Sequence, residues 1–160
     1  MAHASFSQNI FINAAPAAAI ARLSEYSQHT ELHPMIVAVR LLDTMSTADG
    51  GIRRDYRITD RMRLGPFTTR FTYRASITAA PNGRLDGEAF QFPRIHLHVT
   101  TICQPEGDGT RVAEEVKIDA PRLLMRTVYT QAQAAHKQLL ANLKTLLESA
   151  PATPHARERT

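Results

Sequence analysis

Two polar side chains, Tyr129 and His136, stand on the apolar stripe of the longest helical pattern in the sequence. Met125, Ala132, Leu139, Leu143 and Leu146 share that stripe at three- and four-residue spacing. The two lie seven residues apart, about 10 Å along a helix. A phenol and an imidazole on an apolar face need a partner, which protein, water or a ligand can supply. They read either as groups that orient a ligand or as core side chains satisfied by carbonyls and sheet residues. Arg54 and Asp60 share the strand parity of Tyr56 and Ile58, so both should point to the buried side. Charges there are rare without pairing. Arg54 could hold a carboxylate, phenolate or enolate oxygen. Alternatively the two lie at strand ends, or pair with each other or with Glu114. His33, just before Pro34, falls in a loop where it could fix a turn. His96 and His98 are two apart on a strand, a spacing that supplies half of a metal site. Their neighbours Ile95, Leu97 and Val99 form the buried set, which sends both histidines to the wet face, and no third ligand stands at a suitable spacing. No metal and no cofactor is expected.

Other chemistries lack their parts. There is no glycine-rich phosphate loop, no G-x-S-x-G elbow and no H-E-x-x-H. The single cysteine, Cys103, rules out an intrachain disulfide and a Cys-rich zinc module. Nothing points to a two-carboxylate glycosidase. With 160 residues, 43% apolar and 21% charged, the chain is long and apolar enough to bury one domain core. No apolar run is long enough to span a bilayer. The apolar stretch Ala14–Ala21 has no Lys or Arg before it, so it reads as a helix rather than a signal peptide, and the cytoplasm is the expected location. The formal charge of +4 is uneven: residues 52–74 hold seven arginines (53, 54, 57, 61, 63, 70 and 74) against Asp55 and Asp60. These charges alternate with apolar residues in strand period, as on a solvated sheet face, although such a patch could also meet an anionic partner.

The elements that must position these residues follow from period and punctuation. Residues 5–13 alternate as an imperfect strand. A helix starts at Asn13 or Ala14 with Pro16 in its first turn, and residues 26–34 suggest a second, broken helix. Residues 35–43 form a strand. Residues 52–64 place Ile52, Tyr56, Ile58, Met62 and Leu64 on one face. After the Gly65-Pro66 turn, residues 67–78 place Phe67, Phe71, Tyr73, Ala75 and Ile77 on one face. Strands near 84–92, 95–104 and 110–119 follow, the first entered through Asn82-Gly83. A helix of ~28 residues, roughly 40 Å long, runs from about Pro121 to Ser149. Residues 151–160 read as a disordered tail, which leaves one domain over 1–150.

Seven strands with one long helix imply an α+β fold in which the helix covers the apolar face of a curved antiparallel sheet, and such packing tends to leave a pocket. The residues also carry a resemblance. The opening strand with NAAPAAAIARLSEY, the TELHPMIVAV segment, the EGDGTRVAEEVKIDAP hairpin and the AQAAHKQLLANLKTLLE helix resemble the START-like (SRPBCC) superfamily over about residues 4–149. That superfamily includes birch-pollen-allergen-like proteins, lipid-transfer domains and bacterial polyketide cyclase/dehydrase proteins. The resemblance implies a helix-grip fold: a seven-stranded curved sheet wrapped around the C-terminal helix, two short helices between strands 1 and 2, and a deep hydrophobic cavity with His33 near its mouth. The expected ligand is a lipid, aromatic or polyketide-like molecule. The expected contacts are Tyr56, Ile58, Met62, Phe71, Tyr73, Arg54, His33, Tyr129, Ala132, His136 and Leu139. A second reading is a polyketide aromatase/cyclase or dehydratase, with Arg54 stabilising an enolate and Tyr129 or His136 moving protons. A third is an interaction module that works through the arginine-rich outer sheet face. Neither nucleic-acid binding nor stable membrane insertion is expected, and the oligomeric state stays open.

Overall fold

The period-two alternation read from the sequence forms seven strands: β1 (Ala2–Ile12), β2 (Ile36–Ser46), β3 (Ile52–Leu64), β4 (Phe67–Ala79), β5 (Arg84–Gln91), β6 (Ile95–Glu106) and β7 (Gly109–Ala120). The structure is a computed structural model and describes residues 1–64 and 66–149; the tail expected at 151–160 lies outside them. The strands make one antiparallel sheet in the order β1-β7-β6-β5-β4-β3-β2. The first two strands in the chain therefore form opposite edges, and the segment joining them must traverse the sheet. That segment holds α1 (Pro16–Leu23), with Pro16 at its first turn, and a short 3-10 turn (Tyr26–Gln28).

The second helix expected over 26–34 is only that 3-10 turn followed by further turns. Ser27, Thr30 and Pro34 leave it no sustained apolar period, and so short a segment cannot nucleate a helix alone. Instead, His33 N–H and Leu32 N–H both donate to the His29 carbonyl. The chain ends in α2 (Arg122–Ser149). Pro121 opens this helix as expected, its carbonyl accepting from Leu124 and Met125 directly after β7 ends at Ala120.

Helix α2 buries two groups of side chains against the concave face. Leu139, Leu140 and Leu143 pack with Ile12, Val112 and Ile58. Nearer its N-terminus, Ala132 packs with Phe6, Val116 and Ile118. The expected alternation of β3 and β4 fails at the strand ends, where Ile52 and Phe67 are exposed. Edge strand β2 carries two register irregularities, between Ile36 and Ala38 and between Leu41 and Asp43, a common protection against pairing with another chain. On the convex face, Arg57 stands opposite both Arg40 and Arg74, and Arg61 stands opposite Arg70. All five are exposed, and like charges placed so cost stability.

Candidate functional site

Between sheet and α2 lies a cavity of about 360 Å³, within the range of small-molecule sites. Its far end is closed by Leu23 of α1 and by Tyr26, with Leu85 and Ile77 from the sheet. Its mouth lies beside the β5–β6 turn and the start of α2, where Phe92 and Leu124 line it. There β4 runs on past the end of β5, since their pairing starts only at Arg74 opposite Phe90. Met62, Phe71 and Leu124 line this end, and Phe92 also lines it while remaining 87% exposed.

Most of the walls are apolar, and the polar groups fall in two clusters. The first is built on Glu114. Glu114 shares the inward parity of Val112, Val116 and Ile118 on β7 and is only 4% exposed. Its Oε1 accepts from Gln8 Nε2 at 2.9 Å across the β1–β7 pair and lies 2.9 Å from His136 Nδ1. A carboxylate can only accept, so Nδ1 carries a proton, and in the neutral ring Nε2 is the acceptor. The His33 ring stands edge-on to His136 with centroids 5.8 Å apart. His33 Nδ1 accepts from Met35 N–H, and burial pushes its pKa down to about 3. His29 Nε2 donates to the Leu23 carbonyl, and burial pushes its pKa down to about 4. Both are therefore neutral imidazoles at neutral pH.

The second cluster sits on Asp60 of β3. Tyr73 of β4 donates its hydroxyl to Asp60 Oδ2 at 3.1 Å. Burial raises the Asp60 carboxyl to about 6, although the Tyr73 hydrogen bond opposes the shift. Burial likewise holds the Tyr73 phenol well above its ordinary range.

Of the residues expected from sequence, Ile58, Met62, Phe71, Tyr73, His33, Ala132, His136 and Leu139 line this cavity. Arg54, Tyr56 and Tyr129 do not, each for a physical reason. Arg54 has the right parity, but its Nη1 donates to the Ser24 carbonyl and its Nε lies 3.7 Å from Glu25 Oε2. Tyr56 is fully buried, but its hydroxyl donates to Glu25 Oε1 and its ring packs on Tyr26. The 24–26 segment thus covers both, and Tyr26 takes the place at the wall. Tyr129 turns to β1, where its ring meets Phe6 edge-on at 5.6 Å. The cavity stripe of α2 passes through Leu124, Val128, Gln131, Ala135 and Leu139, about one residue around the helix from the stripe drawn through Tyr129. His96 and His98 lie on the outer face as expected, paired with Glu88, Asp86 and Asp119.

Sequence reasoning passed over Glu114 as a site residue, although a glutamate on the inward parity of β7 is a readable signal. Tyr26, His29 and Gln131 carried no such signal. Gly87 marks how closely Tyr26 approaches the sheet: a Cβ at that position would lie 2.5 Å from the Tyr26 hydroxyl oxygen. We expect Gly87→Ala to destabilise the protein by about 1–3 kcal/mol through overpacking. On a Tyr26→Phe background the same change should cost clearly less. Chemical denaturation of the four-member cycle measures the difference, and equal costs would mean that Tyr26 does not press on Gly87.

A curved seven-stranded sheet gripping a C-terminal helix around a largely apolar cavity is the helix-grip architecture of START-like proteins. Residues 3–148 match the family described as polyketide cyclase / dehydrase and lipid transport, and the chain belongs to that family. Solved structures share the fold at low identity. TTHA0849 from Thermus thermophilus is 17% identical with a TM-score of 0.72, over 93% of this chain and 100% of that one. The di-domain ARO/CYC BexL from the BE-7585A biosynthetic pathway is 15% identical with a TM-score of 0.75, over 93% of this chain and 51% of that one, so this chain spans about half of it. The Zhui aromatase/cyclase from Streptomyces sp. R1128 is 10% identical with a TM-score of 0.69, over 95% of this chain and 100% of that one. No curated protein matches the chain. No helix among the described residues is long and apolar enough to cross a membrane.

Proposed function

We propose that the protein binds an apolar small molecule, aromatic or polyketide-like, between its sheet and α2. The observation that supports this reading is the cavity of about 360 Å³, apolar along most of its wall and open at one end beside Phe92. A packed core would close such a space, because an empty apolar volume forfeits contacts on every side. Native mass spectrometry of the purified protein, with extraction of whatever travels with it, tests the proposal. A defined co-purifying aromatic or lipid is the expected result. A protein that is empty and also fails to take up hydrophobic dyes would overturn it.

A second reading, an aromatase/cyclase or dehydratase, is favoured by the His136–Glu114 pair. A buried carboxylate that orients one imidazole nitrogen prepares the other to accept a proton. In this reading His136 is the base. Arg54 and Tyr129 have no part in it, because neither reaches the cavity. Turnover of a model poly-β-ketone is expected to fall about 100-fold or more in His136→Ala and to persist in Arg54→Ala. An unchanged rate in folded His136→Ala would remove this role.

A further inference from the structure

One carboxylate oxygen in the cavity wall has no partner. Asp60 is 4% exposed, its Oδ2 accepts from Tyr73, and its Oδ1 is buried with nothing to accept from. On α2, Gln131 Oε1 is buried in the same condition, and both residues line the cavity. Native proteins rarely leave such acceptors dry, because the cost of stripping their water is not recovered. The cavity that both residues line is where a donor for either oxygen would come from.

The charge of the wall narrows that occupant. No Lys or Arg lines the cavity among the described residues, and the carboxylates that face it are Asp60 and Glu114, the Glu88 carboxylate being paired with His96 on the outer face. Of the three histidines in the wall, His29 is buried and His33 half-buried, desolvation keeps both neutral, and His136 is already held against Glu114. A carboxylate, sulfate or phosphate on the ligand would find no counter-charge and would lose its hydration. A ketone or ether oxygen would bring a second acceptor to an acceptor. An ammonium would supply protons, but only after a full charge had been stripped of water in a mostly apolar space. A hydroxyl satisfies Asp60 at the lowest desolvation cost.

We infer that the cavity selects an uncharged, hydroxyl-bearing ring compound whose O–H donates to Asp60 Oδ1, and that it discriminates against the carboxylate of the same skeleton. This rests on the ligand-binding reading above and narrows it to one chemical class.

Three probes with one ring system test it: 2-naphthol, 2-methoxynaphthalene and 2-naphthoate, titrated into the full chain at pH 7.5 by calorimetry or intrinsic fluorescence. Naphthol should bind at least about 10-fold more tightly than either of the others, the scale of one charge-assisted hydrogen bond. In Asp60→Asn the side-chain oxygen can still accept from Tyr73, while the second atom becomes an N–H donor. The preference for naphthol over its methyl ether should then vanish, with ether binding retained or improved. Equal binding of naphthol and ether by the unaltered protein would overturn the hydroxyl assignment and leave the cavity reading intact. Tighter binding of naphthoate would overturn the exclusion of anions. If no naphthalene binds while a hydrophobic dye does, this inference fails and the cavity reading stands; if neither binds, both fail.

Discussion

Acidification from pH 7 to pH 5 is expected to cost the folded state about 2 kcal/mol for each of His29 and His33. Burial lowers their pKa values to about 4 and about 3, against 6.5 for an ordinary imidazole. The sign follows directly. Above pH 6.5 both are neutral in the folded and unfolded chain, and stability is at its full value. As the pH falls below 6.5 the unfolded chain takes up two protons that the folded protein refuses, so stability declines until the folded pKa values are reached. Protonation of His33 would also cancel the acceptor that holds Met35 N–H. Asp60 works in the opposite sense over part of the window. Its folded pKa of about 6 lies above the ordinary 3.8, so between those values the folded state holds a proton that the unfolded chain releases. At pH 5 these three groups together predict a net uptake of about one proton on unfolding. Denaturation midpoints across this range, with the stability slope against pH, measure that number. Replacing the two histidines by His29→Gln and His33→Asn keeps a donor for the Leu23 carbonyl and an acceptor for Met35, and should flatten the decline. A stability that does not change from pH 7 to pH 5 would contradict the burial of neutral imidazoles here.

The second large effect runs through the same linkage at Asp60. At pH 8 this carboxylate is ionised, buried and half-satisfied, and a rise of about two units corresponds to about 2–3 kcal/mol against the folded state. Asp60→Asn removes the charge and can keep the Tyr73 hydrogen bond. It should therefore raise stability by about that amount at pH 8. At pH 3, where aspartate is protonated in both states, the gain should be near zero. A substitution that stabilises the protein while abolishing its preference for a hydroxyl-bearing ring is the pattern of a group kept for binding at the expense of stability. If Asp60→Asn destabilises the protein at pH 8 as much as at pH 3, the carboxylate is an ordinary structural group.

Strands β3, β4 and β7 were legible because each carries a period of two over eight or more residues, and a slip of one residue would turn its apolar set to water. The long helix was legible for the same reason at a period of 3.6. Residues 26–34 were misread because nine residues with a few apolar positions fit a helix and a run of turns equally well. Within the site, parity correctly placed Ile58, Phe71 and Tyr73. It also placed Arg54 and Tyr56 on the inner side, but parity names a face and not what lies against it. The segment around Ser24, Glu25 and Tyr26 reaches that face from another part of the chain and covers both.

By itself, then, the sequence determined the order of elements, the antiparallel sheet with a covering helix, and the resemblance to a family of cavity-forming proteins. The first two depend on local period and on punctuation by Gly and Pro, and the resemblance on the particular segments that carry it. Only the tertiary structure decided which polar groups share the cavity. The rotation of α2 about its axis separates Tyr129 from His136, because both candidate stripes are apolar and only packing against β1 and β7 chooses between them. The pairing of Gln8, Glu114 and His136 joins residues that lie more than a hundred positions apart in the chain at its extremes. Such contacts depend on how the sheet curves and where the helix docks, and no local pattern encodes either.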